Sequence, residues 1–319
     1  MKYYIGIDLG GTNIAAGLVN EEFEIVASVS CPTALPRPAA EVEADMAALC
    51  RKLVEEKGLT MADIGWVGIG TPGSVDPTTG FVGFNANFGY HDWYLGKDME
   101  ALLGCPVYVE NDANAAAYGE YAAGALKGAA SAIAITLGTG VGAGIILDGK
   151  LYSGNNHSGG ELGHMVIVKG GRPCMCGRCG CWEKYASARA LAEDTKEAMR
   201  QNPDNMMWGL VDGDLDKVGA KTAFDAMHAG DELAKAVVGN YLEYVACGLT
   251  NLINIFQPEV VCIGGGVSKQ GDILLAPIQA YVDAEDYSRN NANRTRIVCA
   301  ELFNDAGIVG AAMLGKQNA

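Results

Sequence analysis

Long runs of lysine and arginine are absent from this 319-residue sequence, in which 38 acidic residues outnumber 23 basic ones. The formal net charge is −15 and the isoelectric point is about 4.7. Binding to a nucleic acid or to an anionic membrane surface depends on clustered positive charge. The sequence therefore argues against both kinds of partner.

An apolar core typical of a signal peptide is not expected at the start of the sequence, because Asp8 interrupts the apolar run of "MKYYIGIDLGG". One uncharged stretch, residues 128–147, is long enough to cross a bilayer. Its five glycines, its two threonines and the β-branched residues on both sides of "GTG" favour a buried strand–turn–strand instead. We therefore expect a cytoplasmic protein, in which thiols stay reduced.

Strands and helices alternate along the chain as in an α/β protein, and the length allows two domains. Apolar spacing predicts a helix over residues 41–57. The segments "IGIDLGGT" (5–12) and "IAITLGTG" (133–140) share one pattern, which suggests a duplicated unit. The remaining expected elements are strands at 66–70, 106–110 and 296–300, a strand followed by a glycine turn over 260–266, and helices from Asp112, over much of 185–256, over 272–284 and from Asp305.

Three glycine-rich turns follow predicted strands: "DLGGTN" (8–13), "LGTGVG" (137–142) and "IGGGVS" (263–268). Glycine lets backbone N–H groups approach a phosphate closely, and threonine hydroxyls add donors. None of the three matches a P-loop or a Rossmann fingerprint. Three such turns in one chain favour nucleotide binding, although a single one would serve equally well as a plain hairpin.

Carboxylates stand at the ends of two predicted strands. Asp8 could hold Mg²⁺ beside bound phosphates, or could simply begin a turn. In "VENDAN" (109–114), Asn111 and Asp112 open a helix, where either could be the N-cap. Ligands bind at the carboxyl ends of strands in α/β folds, and a carboxylate there can act as a general base. Both interpretations remain open from the residues alone.

Four of the ten cysteines lie within "CMCGRCGC", residues 174–181. Together with His164, the residues Cys174, Cys176 and Cys181 form a Cys₃His set, which is a typical ligand set of structural zinc. A site of four cysteines, including Cys179 and leaving His164 free, is an alternative that spacing does not exclude. A redox switch is less favoured because a switch usually needs only two cysteines.

Two glutamates flank this loop. Glu161 precedes His164 by three residues, and Glu183 follows Cys181 by two. Carboxylates with a histidine suit a polyhydroxylated ligand, because each oxygen can accept a hydrogen bond from a hydroxyl. The competing interpretation is a solvated surface pair, which the glycine-rich and potentially metal-bound loop makes less favourable.

These motifs together resemble the ROK family of repressors, open reading frames and sugar kinases. The resemblance runs nearly end to end, through "DLGGTN", "GIGTPGSVD", "ENDANAAAYGE", "LGTGVGAG", "GGELGHM", "CMCGRCGCWE" and "CIGGGVS". It implies a two-domain, actin-like (ribonuclease-H-like) ATPase fold with a duplicated βββαβα core and a central cleft. The implied domains are a small one, residues 1–112 plus 300–319, and a large one, residues 113–299, with the zinc-binding loop.

Within the family the chain looks most like the glucokinases, which implies ATP-dependent phosphorylation of a hexose at its 6-hydroxyl, with Mg²⁺ and a structural Zn²⁺. Asp112 would be the catalytic base. The hexose would be bound by Gly73, Asn87, Asn111, Asp112, Glu161, His164 and Glu183. The nucleotide would be bound by Asp8, Gly10, Gly11, Thr12, Asn13, Gly138, Thr139, Gly264, Gly265 and Gly266. Zinc would be bound by His164, Cys174, Cys176 and Cys181.

Two departures and two rivals accompany this expectation. Residues 87–90 read Asn-Phe-Gly-Tyr where these glucokinases usually carry Asn-Leu-Gly-Trp, which leaves fructose, allose, N-acetylmannosamine and N-acetylglucosamine open beside glucose. The extra Cys179 occupies a variable position of the pattern.

The family's repressors carry a DNA-binding segment before the first glycine turn, for which seven residues before Asp8 leave no room. A non-catalytic sugar-binding regulator is disfavoured by Asp8 and Asp112. The resemblance also implies a homodimer.

Overall fold

The structure is a computed structural model that describes residues 2–85 and 87–318. The chain divides into two compact units, of which the first comprises Met1–Ala134, Gly144–Gly160 and Ala300–Ala319, and the second Ile135–Ala143 and Glu161–Cys299. The division after residue 112 remains a prediction, and its ranges include residues 1, 86 and 319, which lie outside the described part. Within that part, no helix is both long and apolar enough to cross a membrane.

The strands and helices alternate as the sequence predicts. The strands are β1 (Tyr3–Leu9), β2 (Asn13–Val19), β3 (Ile25–Pro32), β4 (Ile64–Thr71), β5 (Ser74–Asp76), β6 (Phe81–Asn85), β7 (Tyr90–Trp93), β8 (Val107–Asn111), β9 (Ala132–Leu137), β10 (Val141–Leu147), β11 (Lys150–Leu151), β12 (Val260–Gly264) and β13 (Arg296–Cys299). The helices are α1 (Ala39–Glu56), α2 (Leu95–Leu103), α3 (Asp112–Ala123), α4 (Glu183–Ala186), α5 (Ala188–Gln201), α6 (Met207–Leu210), α7 (Ala220–His228), α8 (Glu232–Phe256), α9 (Asp272–Glu285), α10 (Ala306–Met313) and α11 (Gly315–Asn318).

Two five-stranded sheets share one topology. Their orders are β3-β2-β1-β4-β8 and β11-β10-β9-β12-β13, so the earliest strand of each sheet lies at its centre. In the first sheet, β1, β4 and β8 run parallel while β2 and β3 pair antiparallel. The duplication suggested by the two similar sequence segments is thus present in the strand order. A separate antiparallel sheet, β5-β6-β7, was not predicted.

The first sheet and helix α1 bury a continuous apolar core. Helix α1 turns Val42, Met46 and Leu53 inward, at the spacing that one face of a helix requires. They pack with Ile5, Ile7, Ile14 and Ile69 of the sheet, all fully buried. Burying each of these side chains stabilises the unit by roughly 1.5–3 kcal/mol, before the entropy of ordering is subtracted.

Helix α10 lies unusually close to β1, β4 and α3, and glycine makes this approach geometrically feasible. A Cβ atom added at Gly6 would lie 1.9 Å from the carbonyl oxygen of Ile308, and one at Gly68 would lie 1.7 Å from that of Ala311. A Cβ at Gly310, on α10 itself, would lie 1.7 Å from the carbonyl oxygen of Ala115 on α3. A larger side chain at Gly6 or Gly68 would separate α10 from the sheet, and one at Gly310 would separate it from α3.

Candidate active site

The first unit brings Asp8 and Asp112 near each other. Strands β1, β4 and β8 are parallel and in register at Asp8, Gly70 and Glu110, so Asp8 and the start of α3 lie at the same sheet edge. Burial, together with the negative charge of Asp112, raises the pKa of Asp8 to about 6. A divalent cation between phosphates and this carboxylate would favour its ionised form.

Asn111, one of the two residues that the sequence offered as the N-cap, caps α3. Its side-chain oxygen accepts hydrogen bonds from the backbone N–H groups of Ala113 (2.9 Å) and Asn114 (3.2 Å). Its amide nitrogen donates to the carbonyl of Gly73 at 3.3 Å. The cap fixes the side chain of Asn111, and it leaves Asp112 as the first residue of the helix, where the helix dipole favours a carboxylate.

Only glycine fits at position 73. Its φ of +112° disfavours other residues, and a Cβ there would lie 2.4 Å from the carbonyl oxygen of Phe84. The neighbouring Asn85 is fully buried and shapes the turn that carries Asn87. Its side-chain oxygen accepts from the N–H groups of Asn87 (3.1 Å) and Phe88 (3.2 Å). Sequence reasoning missed Asn85, because its function depends on backbone groups of a turn that was not predicted.

Glu110 is a second group that the sequence did not reveal. It is buried, and burial raises the pKa of its carboxyl group. One of its oxygens accepts from the N–H of Asn111 (2.8 Å) and from the side-chain amide of Asn114 (3.1 Å). Glu110 therefore supports the start of α3, which carries the proposed base Asp112.

The first glycine turn, Gly10 to Asn13, closes with a hydrogen bond from the N–H of Gly10 to the carbonyl of Asn13 at 3.0 Å. Gly11, Thr12 and Asn13 are exposed, whereas the carbonyls of Gly10 and Thr12 are bonded to Thr33. Carbonyl oxygens repel phosphate. Because these two carbonyls are hydrogen-bonded within the protein, the exposed side of the turn presents mainly N–H and hydroxyl groups. This arrangement suits an anionic ligand.

In the second unit the other two glycine turns meet. Gly265 has a φ of +86°, and a Cβ on it would lie 2.3 Å from the carbonyl oxygen of Leu137, directly before Gly138 and Thr139. The N–H of Gly138 donates to the carbonyl of Gly140 at 3.0 Å. The structure therefore brings together the predicted nucleotide-binding segments 138–139 and 264–266.

The four predicted metal ligands lie together in the second unit. The ligand atoms of His164, Cys174, Cys176 and Cys181 all lie within 4.8 Å of one another. The Cys174 sulfur is 3.6 Å from His164 Nδ1, and the sulfurs of Cys176 and Cys181 are 3.6 Å apart. Tetrahedral zinc, with Zn–S bonds of about 2.3 Å, needs sulfur atoms about 3.8 Å apart, so the donor set and its spacing fit zinc.

Cys179 belongs to a different part of the loop. Its residue pairs with Pro173 in an isolated antiparallel bridge, and its side chain is exposed. Burial, together with the neighbouring Cys176 and Cys174, raises the pKa of Cys181, so its thiolate form would need a nearby cation. Of the two ligand sets left open by the sequence, the geometry favours the one that contains His164.

The two proposed hexose-binding glutamates of this unit, Glu161 and Glu183, flank the same loop in the sequence. Glu183 begins α4, and one of its oxygens accepts from the Cys174 sulfur at 3.5 Å. The carbonyl of Glu161 accepts from the N–H of His164 at 3.0 Å, and its side chain is exposed. Between Cys181 and Glu183, Trp182 is fully buried and donates to the carbonyl of Tyr244 at 2.8 Å. Trp182 was not predicted, and it anchors the loop to α8.

Two sheets of one strand order, each with a glycine-rich turn after its central strand, place the protein in the actin-like ATPase fold, which confirms the predicted fold class. The chain belongs to the ROK family, whose profile matches residues 4–318.

Individual relatives agree with this assignment. The chain is 38% identical over 320 residues to a glucokinase of Halalkalibacterium halodurans, covering 99% of this chain and 96% of that protein. It is 32% identical over 321 residues to an N-acetyl-D-glucosamine kinase of Aliivibrio salmonicida, covering 98% and 99%. Among solved structures, a ROK family glucokinase from Streptomyces griseus in complex with glucose and AMPPNP superposes with a TM-score of 0.84 at 38% identity, covering 99% of each chain.

Proposed function

We propose that this protein is an ATP-dependent hexose kinase that phosphorylates the 6-hydroxyl of its sugar, with glucose as the preferred substrate. The observation that carries the proposal is the Asp112 carboxylate at the first residue of α3, beside a fixed Asn111 and close to Asp8. The similarity to glucokinases over 99% of the chain supports the same reaction.

In the proposed mechanism, Asp112 accepts the proton of the attacking sugar hydroxyl. Asn111 and Asn87 hold the hydroxyl groups of the sugar, and Gly73 allows the backbone to approach it. Phosphoryl transfer requires little covalent chemistry from the protein, so positioning and charge stabilisation account for most of the rate enhancement. The proposed hexose ligands of the second unit are Glu161, His164 and Glu183.

The nucleotide is proposed to bind the glycine turns, with Gly10, Gly11, Thr12, Asn13, Gly138 and Thr139 at the phosphates and Gly264, Gly265 and Gly266 at the adenosine. Mg²⁺, held by Asp8 directly or through water, would neutralise charge on the transferring phosphoryl group. Zinc, bound by His164, Cys174, Cys176 and Cys181, is proposed to order the loop that carries Glu183. Cytoplasmic location and a homodimeric state remain predictions.

A second candidate substrate is an N-acetyl-hexosamine, because a kinase named for N-acetyl-D-glucosamine is 32% identical over almost the whole chain. One assay distinguishes the candidates. Zinc-replete protein is given ATP, Mg²⁺ and, in turn, glucose, fructose, allose, N-acetylmannosamine and N-acetylglucosamine, and ADP formation is measured. We expect the highest kcat/KM with glucose, and a product phosphorylated at position 6 by ³¹P NMR. ADP formation that does not depend on any of these sugars would contradict the proposed function.

A further inference from the structure

The segment after β3, residues 33–37, contacts both the first glycine turn and the turn that carries Asn87. We name residues 33–37 the connecting segment. At its start, Thr33 is fully buried. The hydroxyl of Thr33 donates to the carbonyl of Gly10 at 2.6 Å, and its N–H donates to the carbonyl of Thr12 at 2.8 Å. One residue thus fixes two carbonyls of the proposed phosphate-binding turn.

The other end of the connecting segment is fixed by Tyr90. The phenolic hydroxyl of Tyr90 donates to the carbonyl of Arg37 at 2.5 Å. The guanidinium of Arg37 forms an ion pair with Asp45 of α1 at 2.6 Å, which holds this end against the helix. Pro36 and Pro38 on either side of Arg37 restrict the backbone further.

Tyr90 ends the turn that carries Asn87. The N–H of Gly89 donates to the carbonyl of Asn85 at 2.9 Å, and the side chain of Asn85 holds the N–H groups of Asn87 and Phe88. The ring of Tyr90 packs edge-on against Trp93 and Phe88. The position of Tyr90 is therefore tied to the backbone that presents Asn87.

We infer that Thr33 and Tyr90 are positioning residues, through which the connecting segment couples the proposed hexose-binding turn, residues 87–90, to the proposed phosphate-binding turn, residues 10–13. Every contact in this connection lies within the first unit. Movement of one turn changes the hydrogen bonds available to the other, so binding of the hexose favours binding of the nucleotide, and the reverse holds by linkage. The assignment of ligands to the two turns rests on the proposed function, but the connection itself does not.

Two side-chain hydroxyl groups, those of Thr33 and Tyr90, make hydrogen bonds on which the proposed coupling depends. Tyr90 stands where the glucokinases that this sequence resembles usually carry Trp, so its bond to Arg37 depends on the departure from their pattern. Tyr90→Phe removes only that hydroxyl. Thr33→Val removes the hydroxyl of Thr33 with almost no change in shape, and Thr33→Ser restores it. Tyr94→Phe is the matched control, because Tyr94 is an exposed tyrosine just beyond β7.

The first measurement is hydrogen exchange of the ligand-free protein. In Tyr90→Phe we expect amide exchange in residues 10–13, outside the mutated turn, to rise roughly two- to tenfold, the range for one lost hydrogen bond. Thr33→Val raises exchange in residues 87–90 similarly, whereas Thr33→Ser and Tyr94→Phe leave both turns as in the unmodified chain. Faster exchange confined to residues 87–90 in Tyr90→Phe and to residues 10–13 in Thr33→Val would overturn the coupling.

The second measurement is calorimetric binding of a non-hydrolysable ATP analogue, with and without glucose. In the unmodified protein we expect glucose to tighten nucleotide binding, and each of Tyr90→Phe and Thr33→Val to reduce this factor roughly two- to tenfold, with no further loss in the double variant. An unchanged factor, or additive losses, would overturn the coupling. Failure of both ligands to bind would contradict the proposed function instead, and the exchange measurement would still decide the connection.

Discussion

Asp8 and Asp112 come from different elements, yet the negative charge of Asp112 raises the pKa of Asp8. The pKa of Asp8 is raised by its burial and by Asp112, so ionising Asp8 costs free energy in the absence of a cation. Asp112 begins a helix whose dipole favours its negative charge. The two carboxylates therefore suit different tasks, namely cation binding for Asp8 and proton acceptance for Asp112.

Because Asp112 is the proposed catalytic base, its replacement by asparagine should greatly reduce the rate of phosphorylation. In Asp112→Asn the side-chain oxygen can still accept the hydrogen bond from Ala113, so we expect the fold and sugar affinity to remain. The rate constant kcat should fall by roughly 10²–10⁴-fold, the range for a lost general base. Asp98→Asn, in the first turn of α2, is the matched control and should keep full activity. Steady-state kinetics with glucose check this, and a loss smaller than tenfold would exclude Asp112 as the base.

The raised pKa of Asp8 predicts a pH-dependent stability in the absence of Mg²⁺. The native carboxyl group, with a pKa of about 6, still holds its proton between the model-peptide value of 3.8 and pH 6, where the unfolded chain has lost it. This contribution is present at low pH and is lost as the pH rises through 6. Between pH 5 and pH 7.5 it should cost on the order of 1 kcal/mol of unfolding free energy.

Asp8→Asn should abolish this pH-dependent contribution. Thermal unfolding of both proteins over this pH range, with Mg²⁺ removed, should show the variant gaining stability relative to the original chain as the pH rises. Two curves that stay parallel would mean that Asp8 titrates near its ordinary pKa.

At the scale of elements, the zinc-binding loop illustrates why the sequence predicted some features and missed others. The ligand spacing is local, so the motif predicted His164, Cys174, Cys176 and Cys181, whose ligand atoms the structure brings together. Helix α1 and strands β4 and β8 were predicted for the same reason, because their apolar patterns are local. Occupancy of this site by zinc remains a prediction.

The missed features depend on contacts between distant residues. Strands β5 to β7 have three to five residues each and gain their stability from pairing, such as Val82 with Trp93. Asn85 and Thr33 act on backbone groups whose positions follow from the fold. No sequence pattern marks an asparagine or a threonine that will bind such groups.

The loop predicts a specific result for cysteine substitutions. The exposed Cys179 lies outside the cluster of ligand atoms, so Cys179→Ser should retain one zinc per chain. Cys176→Ser should lose the metal and most activity, because a tetrahedral site needs four ligands. Elemental analysis of purified variants, with His164→Ala included, decides between the two ligand sets. Zinc lost from Cys179→Ser but kept in His164→Ala would establish a four-cysteine site.

Helix α3 is joined to the C-terminal part of the first unit by one buried carboxylate. Glu120 is only 2% exposed and accepts hydrogen bonds from the N–H groups of Ala125 (2.9 Å), Glu301 (3.1 Å) and Leu302 (2.8 Å). Glu120→Ala leaves these three donors without this acceptor, so we expect a loss of roughly 3 kcal/mol or more in unfolding free energy. Glu55→Ala, at an exposed position of α1, should change it by less than about 0.5 kcal/mol. Urea unfolding measures both, and equal effects would mean that Glu120 is not a structural anchor.

At the scale of the whole molecule, the repeated strand order was predictable because the pattern of the two similar segments persists in the sequence. The place of residues 144–160 in the first compact unit was not predictable, because they join it through packing rather than through continuity of the chain. Function was inferable because the sugar-kinase motifs combine short spacings with chemically distinctive residues. The preferred hexose depends on side-chain positions that no spacing specifies.

The close packing of α10 on β1 and β4 has a consequence for the order in which the protein can fold during synthesis. The ribosome makes β1 and β4 early, but it makes α10 only after nearly all of the described chain. Until then, the surfaces around Gly6 and Gly68 remain uncovered, so the first unit cannot complete its core while its own chain is growing. Residues 161–299 of the second unit emerge before α10 and can pack earlier.

Stalled nascent chains test this order. Brief protease treatment should cut within residues 3–71 when the chain has emerged only to residue 299, and should spare them once α10 has emerged. Gly310→Val, whose side chain would collide with the Ala115 carbonyl, should keep them sensitive at both lengths. Early resistance of residues 3–71 would show that the first strands reach their native state without the helix, and would leave α10 as a late addition to a finished core.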